Sequence, residues 1–125
     1  MGAQYRQRQL RNLSSSEIGW VAGLLEGEGS FIVVRNGTRP RVQMQSTDED
    51  VLLKLRAVLG AGRICPISQR ANRKQCWAFA LNTRDDIDLL LRQIYPMMGA
   101  RRRVQIDLVL AHVEQSMADK PAAAA

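Results

Sequence analysis

Glycines at a helical spacing limit what this chain can fold into more than any other feature. The stretch "GWVAGLLEGEGSF" (19–31) has the apolar content of a helix, yet glycine stands at Gly19, Gly23 and Gly27. Each glycine inside a helix costs about 0.5–1 kcal/mol relative to alanine. Positions four apart lie along one side of a helix, where small residues let a second helix backbone approach closely. The stretch is too short and too charged at its end to span a membrane. We therefore expect close contact with another helix in a water-soluble domain.

Two carboxylates, Glu26 and Glu28, close this stretch at the end that the helix dipole makes unfavourable for negative charge. If the contacting helices belong to two copies of the chain, both Glu28 side chains converge and repel unless a cation neutralises them. Hard divalent cations such as Mg²⁺ take oxygen ligands of this kind. A two-fold pair of such sites suits hydrolysis of phosphodiesters on opposite strands. The alternative is an exposed helix end with solvated carboxylates. We expect Glu26, in contrast, to cap a helix or pair with a basic group.

Composition indicates the class of partner. The chain has 125 residues, enough for one domain with its own core, and a net charge of +6. Its pI is near 10.1, which favours a polyanionic partner, either nucleic acid or an anionic membrane, although a merely solvated basic surface remains an alternative. Cys65 and Cys76 lack metal-ligand spacing and indicate a reduced, intracellular protein. No apolar run is long enough to cross a bilayer. We assign 1–12 to a basic arm and 118–125 to a disordered tail.

Start, turn and stop signals predict the order helix, hairpin, helix, hairpin, helix, helix across the domain at 13–117. Ser14 and Glu17 form a capping box for a first helix that we expect to end at Gly27. Asn36-Gly37 predicts a two-residue hairpin turn, and Thr47 is the expected cap of the second helix. The fold class is α+β, with one antiparallel sheet covered by helices on one face.

The turn at Asn36-Gly37 also sorts the first hairpin into two faces, because strand side chains alternate. The predicted core face carries Phe31, Val33, Val42 and Met44. The opposite face carries Ser30, Ile32, Val34, Arg39, Arg41, Gln43 and Gln45. Arginine and glutamine are the side chains that pair with guanine and adenine edges in the major groove. The alternative is the ordinary wet face of an antiparallel sheet.

The second hairpin is less clearly registered. Its second strand alternates in the same way along 74–82. Trp77, Phe79 and Leu81 point to one side, and Lys74, Cys76, Ala78 and Ala80 point to the other.

Three segments resemble the LAGLIDADG homing endonucleases. "VAGLLEGEG" (21–29) resembles the family signature, with Glu26 and Glu28 at its acidic positions. "LGAGRI" (59–64) resembles the turn into the second hairpin, and "RRRVQIDLVL" (101–110) resembles the opening of the last helix. The resemblance implies an αββαββα fold with a β-sheet saddle over the DNA major groove. It also implies metal-dependent cleavage across the minor groove, and a homodimer because one motif copy is present.

Roles for individual residues follow from that resemblance. It implies that Glu28 and the main-chain carbonyl of Gly27 bind the metal ion and that Gln45 or Ser46 positions water. Arg101 or Arg102 is implied to face the scissile phosphate, where arginine stabilises charge rather than acting as a base. The implied DNA contacts are Ser30, Ile32, Val34, Asn36, Arg39, Arg41, Gln43, Arg63 and Lys74. The implied dimer contacts are Gly19, Trp20, Gly23 and Gly27.

The resulting hypothesis is a site-specific homing endonuclease of the intron or intein type that acts as a homodimer and cuts both strands of a long pseudo-palindromic DNA site. The expected cofactor is Mg²⁺, with Mn²⁺ as a substitute and Ca²⁺ binding without efficient turnover. The expected location is intracellular with access to DNA, in a bacterial cytoplasm, from a phage genome or in an organelle, with no membrane partner. The rival hypothesis is a non-cleaving DNA-binding regulator or an RNA-splicing maturase on the same scaffold.

Overall fold

Four antiparallel strands form one sheet, and α-helices cover one of its faces. The computed structural model describes residues 9–67 and 74–118. The elements in chain order are α1 (Ser15–Glu28), β1 (Gly29–Val34), β2 (Arg39–Ser46), α2 (Glu49–Leu59), β3 (Arg63–Pro66), β4 (Trp77–Leu81), α3 (Arg84–Ile94), a 3₁₀ turn (Tyr95–Met97) and α4 (Ala100–Ala118). The strand order is β1-β2-β4-β3, with every neighbouring pair antiparallel. The predicted α+β class is confirmed.

Helix α1 begins as the sequence predicts and ends two residues later than expected. The Ser14 side chain accepts a hydrogen bond from the Glu17 amide, and Glu17 accepts one from the Ser14 amide, so the capping box is present. These contacts lower the pKa of the Glu17 carboxyl, chiefly through the bond from the Ser14 amide. At the other end Gly29, not Gly27, is the C-cap, and its amide donates to the Leu25 carbonyl. A Cβ at Gly29 would lie 2.7 Å from that carbonyl oxygen, so this close approach requires glycine.

The first hairpin has the predicted register. Phe31 pairs with Val42 and Ile32 pairs with Arg41, as the turn at Asn36-Gly37 requires. A two-residue turn would extend the strands to positions 35 and 38, but β1 ends at Val34 and β2 begins at Arg39. The loop between them has three consecutive residues with positive φ. The core and open faces of β1 and β2 are therefore those read from the sequence.

The second hairpin joins the sheet through β4. Leu81 pairs with Val42, and Phe79 pairs with Met44, which confirms the predicted core face of β4. Lys74 and Cys76 precede the strand instead of lying on it, because β4 begins at Trp77. The expectation that these two residues belong to that strand is therefore wrong, and Ala78 and Ala80 are the predicted open-face residues that lie on it. Part of the loop between the two strands lies outside the described residues.

Residues 9–13, most of which we expected to belong to the N-terminal arm, pack against the domain. The amides of Gln9 and Leu10 donate to the buried carboxylate of Asp86, at 2.8 and 3.0 Å. The Leu13 amide donates to Gln93 Oε1 at 2.7 Å. Leu10 is itself buried. The remaining residues of the predicted arm (1–8), and the tail after Ala118, lie outside the described residues.

The core lies between the sheet and the helices. Its largest fully buried side chains include Leu25, Leu52, Leu55, Phe79, Leu90 and Ile106. Helix α2 begins after Asp48 rather than Thr47, because Ser46 Oγ accepts the Asp48 amide at 2.9 Å, and it ends at left-handed Gly60 as predicted. Among the described residues, no helix is long and apolar enough to cross a membrane.

Candidate functional site

The open face of the sheet brings polar side chains from three of its four strands into one row. Ser30 pairs with Gln43, Gln43 pairs with Ala80, and Ala80 pairs with Arg63. These four residues form one row across the sheet. Arg63 is exposed, and Gln43 is partly exposed. The sequence marked Arg63 as a DNA contact, and the structure brings it into line with Gln43.

Alanines separate the polar side chains along β4. Ala78 lies between Gln45 on β2 and Cys65 on β3, and Ala80 lies between Gln43 and Arg63. Because β4 is an inner strand, its small side chains leave the middle of the open face lower than the polar side chains on either side. An open sheet face with a low centre and polar sides can accept an extended, convex ligand.

The remaining predicted contacts on the first hairpin lie on the same face or at its tip. Ile32 and Val34 are half-buried, and Arg39 is exposed. Asn36 is exposed in the hairpin loop, with a left-handed φ of 56°. The Arg84 guanidinium at the start of α3 donates to the Thr38 carbonyl at 3.0 Å, which supports this loop from the domain side.

Arg41 has a partner that sequence reasoning missed. Its Nε donates to Asn82 Oδ1 at 2.9 Å. Asn82 directly follows β4, and the β2–β4 register places it opposite Arg41, one position beyond the last paired residue, Leu81. The only signal in the sequence was its position after a predicted strand. Such a position does not specify a partner.

Glu28 lies where α1 ends and the sheet begins. Its carboxylate is exposed and makes no hydrogen bond or salt bridge with another described residue. Gly27 is exposed one residue before it, in the last helical turn, where carbonyl groups have no partner within the helix. A carboxylate beside a main-chain carbonyl offers hard oxygen donors that fit Mg²⁺.

One copy of the chain does not complete such a site. Among residues 9–67 and 74–118, no group of three or more His, Cys, Asp or Glu side chains could hold a metal ion. A cation at Glu28 would take its further oxygen ligands from water, from a phosphate group or from a second copy of the chain.

Glu26 faces the domain instead. Its Oε1 accepts the Gly99 amide at 2.7 Å, just before α4, and its main-chain carbonyl accepts Arg102 Nε at 3.0 Å. The expectation that Glu26 caps a helix or pairs with a basic group is confirmed.

The two candidate arginines on α4 occupy different environments. Arg102 is only 8% exposed, and it donates to the Glu26 carbonyl and to Gln105 Oε1, each at 3.0 Å. Arg101 is exposed and makes no hydrogen bond or salt bridge with another described residue. The structure thus engages Arg102 in holding α1 to α4 and leaves the Arg101 guanidinium accessible.

A similar division separates the two polar candidates at the end of β2. Gln45 is exposed on the open face, opposite Ala78. The Ser46 hydroxyl accepts the Asp48 amide and so supports the start of α2. Gln45 is therefore the side chain of this pair that is free to contact a ligand or water.

The glycine face of α1 points away from the core. A Cβ built at Gly19, Gly23 or Gly27 would meet nothing within 4 Å, whereas Val21, Ala22 and Leu25 on the other side are buried. Trp20 is half-buried, and the Lys54 ammonium lies 4.4 Å from the centre of its ring. No contact within the described part of one chain explains the glycines.

Comparison with solved structures identifies the architecture. The homing endonuclease I-CvuI, in complex with its target in the presence of calcium, has a TM-score of 0.63 and 21% identity over 80% of this chain and 67% of its own. The archaeal intron-encoded homing endonuclease I-Vdi141I, complexed with DNA, has a TM-score of 0.61 and 18% identity over 82% and 70%. The LAGLIDADG meganuclease I-CpaMI, bound to uncleaved DNA, has a TM-score of 0.67 and 13% identity over 81% of this chain and 37% of its own.

No protein-family model and no curated protein sequence matches the chain significantly. The likeness is therefore carried by structure. The matches cover about four-fifths of the chain and include enzymes named for the motif that residues 21–29 resemble. The chain has the fold of the LAGLIDADG homing endonucleases.

Proposed function

We propose that this protein is a homing endonuclease that binds double-stranded DNA on the open sheet face and cuts both strands in a reaction that depends on a divalent metal ion. The observation that carries the proposal is the exposed, unengaged carboxylate of Glu28 at the junction of α1 and the open face. Its neighbour Glu26 is engaged in the fold. A protein that only binds DNA gains nothing from a free negative charge next to its phosphate-facing surface.

The proposed active form is a homodimer through the glycine face of α1. The open space around Gly19, Gly23 and Gly27 supports this, and so does the need for ligands beyond one Glu28. Two copies that meet along these helices bring two Glu28 side chains and two open sheet faces together. Such a pair matches a pseudo-palindromic DNA site, because the symmetry of the protein and that of the site coincide.

Each group then has a distinct task. Arg39, Arg41 and Gln43 read base edges, and Arg63 on the outer strand β3 extends the contact surface. Glu28 and the Gly27 carbonyl would hold the metal ion, Mg²⁺ with Mn²⁺ as a substitute. The bound ion would neutralise the developing negative charge and lower the pKa of attacking water. Arg101 stabilises the phosphate charge, and Gln45 orients water by hydrogen bonding. These roles require an intracellular location with access to DNA.

The calcium and magnesium present in DNA complexes with this fold support dependence on a divalent ion. I-CvuI was crystallised with its target in the presence of calcium and with the I-CreI target, not cleaved, in the presence of magnesium, and I-SmaMI was bound to uncleaved DNA in the presence of calcium. Ca²⁺ accepts more ligands and a looser geometry than Mg²⁺. We expect Ca²⁺ to support DNA binding by this protein with little cleavage.

Glu28→Gln tests the proposal because it keeps the shape of the side chain and removes its charge. The full-length protein is first used to select a preferred duplex from a randomised library, and that duplex is then incubated with Mg²⁺. Glu28→Gln should lower the cleavage rate by at least about a hundredfold, because loss of a residue that merely supports a metal ligand already costs about 10–100-fold. Its affinity for the duplex should equal or exceed that of the parent, because a repulsion with phosphate is removed.

Glu26→Gln is the matched control. Its amide oxygen still accepts the Gly99 amide, so cleavage should stay within a few-fold of the parent. If Glu28→Gln cuts as fast as the parent, the proposed metal site is wrong. If the parent selects a DNA site but does not cut it in Mg²⁺ or Mn²⁺, the regulator hypothesis replaces the enzyme.

A further inference from the structure

We infer that Asn82 is a specificity-determining residue that positions Arg41 for base recognition, an inference that rests on the proposed DNA-binding function. Asn82 directly follows the inner strand β4, and its side chain bonds to Arg41 on the neighbouring strand β2. The observation behind it is the bond of 2.9 Å from Arg41 Nε to Asn82 Oδ1.

This bond leaves the recognition end of Arg41 available. The guanidinium has five N–H donors in a planar fork, and Asn82 takes the one on Nε. Among the described residues, the terminal nitrogens of Arg41 have no hydrogen-bond partner. Two donors from those nitrogens can reach the O6 and N7 acceptors of guanine together, the commonest specific contact in the major groove. Asn82 thus fixes the plane of the fork without occupying the part that reads the base.

Asn82 is itself held in place from both sides along the chain. Leu81, at the end of β4, is buried and pairs with Val42, and Thr83 is the N-cap of α3. Asn82 is half-buried, and it lines a polar cavity of about 150 Å³ together with Arg63, Thr83 and Asp86. The anchor of the Arg41 side chain is therefore a short connection between two packed elements.

Arg41 differs in this respect from its neighbours on the open face. Among the described residues, neither the exposed Arg39 nor Gln43 has a side-chain hydrogen-bond partner. An arginine that is ordered before binding loses less side-chain freedom on contact with DNA. The ordering of one such side chain changes affinity by about two- to tenfold. We expect this advantage to apply to the base pair that Arg41 reads and to no other.

The inference is tested by site selection from a randomised duplex library. The variants are Asn82→Ala, Arg41→Ala, the double variant of these two, and Arg39→Ala as a control. Arg41→Ala identifies the base pairs that depend on that side chain. Asn82→Ala should weaken the preference at those same base pairs by about two- to tenfold and leave those lost in Arg39→Ala unchanged. In the double variant, Asn82→Ala should add nothing to the loss caused by Arg41→Ala.

Asn82→Asp provides the rescue. It keeps an oxygen acceptor opposite Arg41, so the base preference should return, while the added charge lowers affinity for all duplexes alike. Unfolding by urea checks that the variants are folded. If Asn82→Ala shifts no base preference, or weakens every position equally, the positioning role is wrong. If the parent selects no site at all, the proposed function itself fails, and the two failures are thereby distinguished.

Discussion

Substitutions at Arg101 and Arg102, which are neighbours on α4, should have different effects: one on DNA cleavage and the other on stability. Arg102→Met removes the guanidinium and keeps most of the apolar stem. The Glu26 carbonyl then loses a charge-assisted bond of 3.0 Å, and Gln105 loses another. The contact of 3.9 Å between Arg102 and the Glu26 carboxylate adds little, because that carboxylate is 43% exposed.

The loss of stability expected for Arg102→Met follows from the bond between Arg102 Nε and the Glu26 carbonyl. A hydrogen bond from a charged donor contributes about 1.5–3 kcal/mol, and the Glu26 carbonyl, which is partly buried, is left without this partner. We expect Arg102→Met to lower the free energy of unfolding by about 2–3 kcal/mol. Arg101→Met removes an exposed side chain with no described partner, so its effect on stability should stay within about 0.5 kcal/mol.

Urea unfolding measures the difference in stability between the two variants, and a DNA cleavage assay measures the difference in their activity. Unfolding is followed at several protein concentrations, because dimer formation would make the midpoint depend on concentration. At a temperature where both variants are folded, Arg101→Met should cut a selected DNA site more slowly than Arg102→Met. An Arg102→Met protein as stable as the parent would refute the structural role. An Arg101→Met protein with full cleavage activity would remove Arg101 from the site.

Three glycine substitutions, one of them a control, complete the set of predictions. Gly23→Leu should leave the protomer folded, because its added side chain starts in open space, but should abolish the dimer in sedimentation experiments; a variant that still sediments as a dimer would locate the interface elsewhere. Gly62→Ala should cost roughly 2–4 kcal/mol in urea unfolding, since φ is 111° there and a Cβ would lie 2.2 Å from the Phe79 ring. Gly60→Ala is its control, with a smaller cost expected because the nearest atom belongs to the flexible Arg11 side chain; equal losses would contradict the role of Phe79.

The register of the first hairpin could be predicted because local chemistry determines it. Asn36-Gly37 supplies the positive φ values of a tight turn, and strict alternation then assigns every side chain of β1 and β2 to a face. The boundary of α1 was harder. We expected the helix to end at Gly27, whereas the close approach of Gly29 to the Leu25 carbonyl ends it two residues later.

Contacts between distant parts of the chain could not be predicted from local patterns. The pair of Gln9 and Asp86 is separated by 77 positions, and that of Glu26 and Arg102 by 76. Asp86 lies in the first turn of α3, where an acidic residue is expected on local grounds alone. Those grounds do not reveal that its carboxylate accepts two amides from the N-terminal segment. Hydrophobic periodicity indicates which face of a helix is buried, but it does not indicate which polar groups meet when two elements pack.

The division between Glu26 and Glu28 shows how that packing creates a site. Two residues separated by two positions on a helix point about 200° apart, so α4 can contact only one of them. Arg102 and Gly99 engage Glu26, which fixes the orientation of the last turn of α1 and leaves Glu28 exposed. Arg101 and Arg102 differ by about 100° for the same geometric reason, and the inward one holds the helix end. The contact between Glu26 and Arg102 thus sets the direction in which Glu28 and Arg101 point. A change at Arg102 should therefore reach the chemistry only through the position of the helix end.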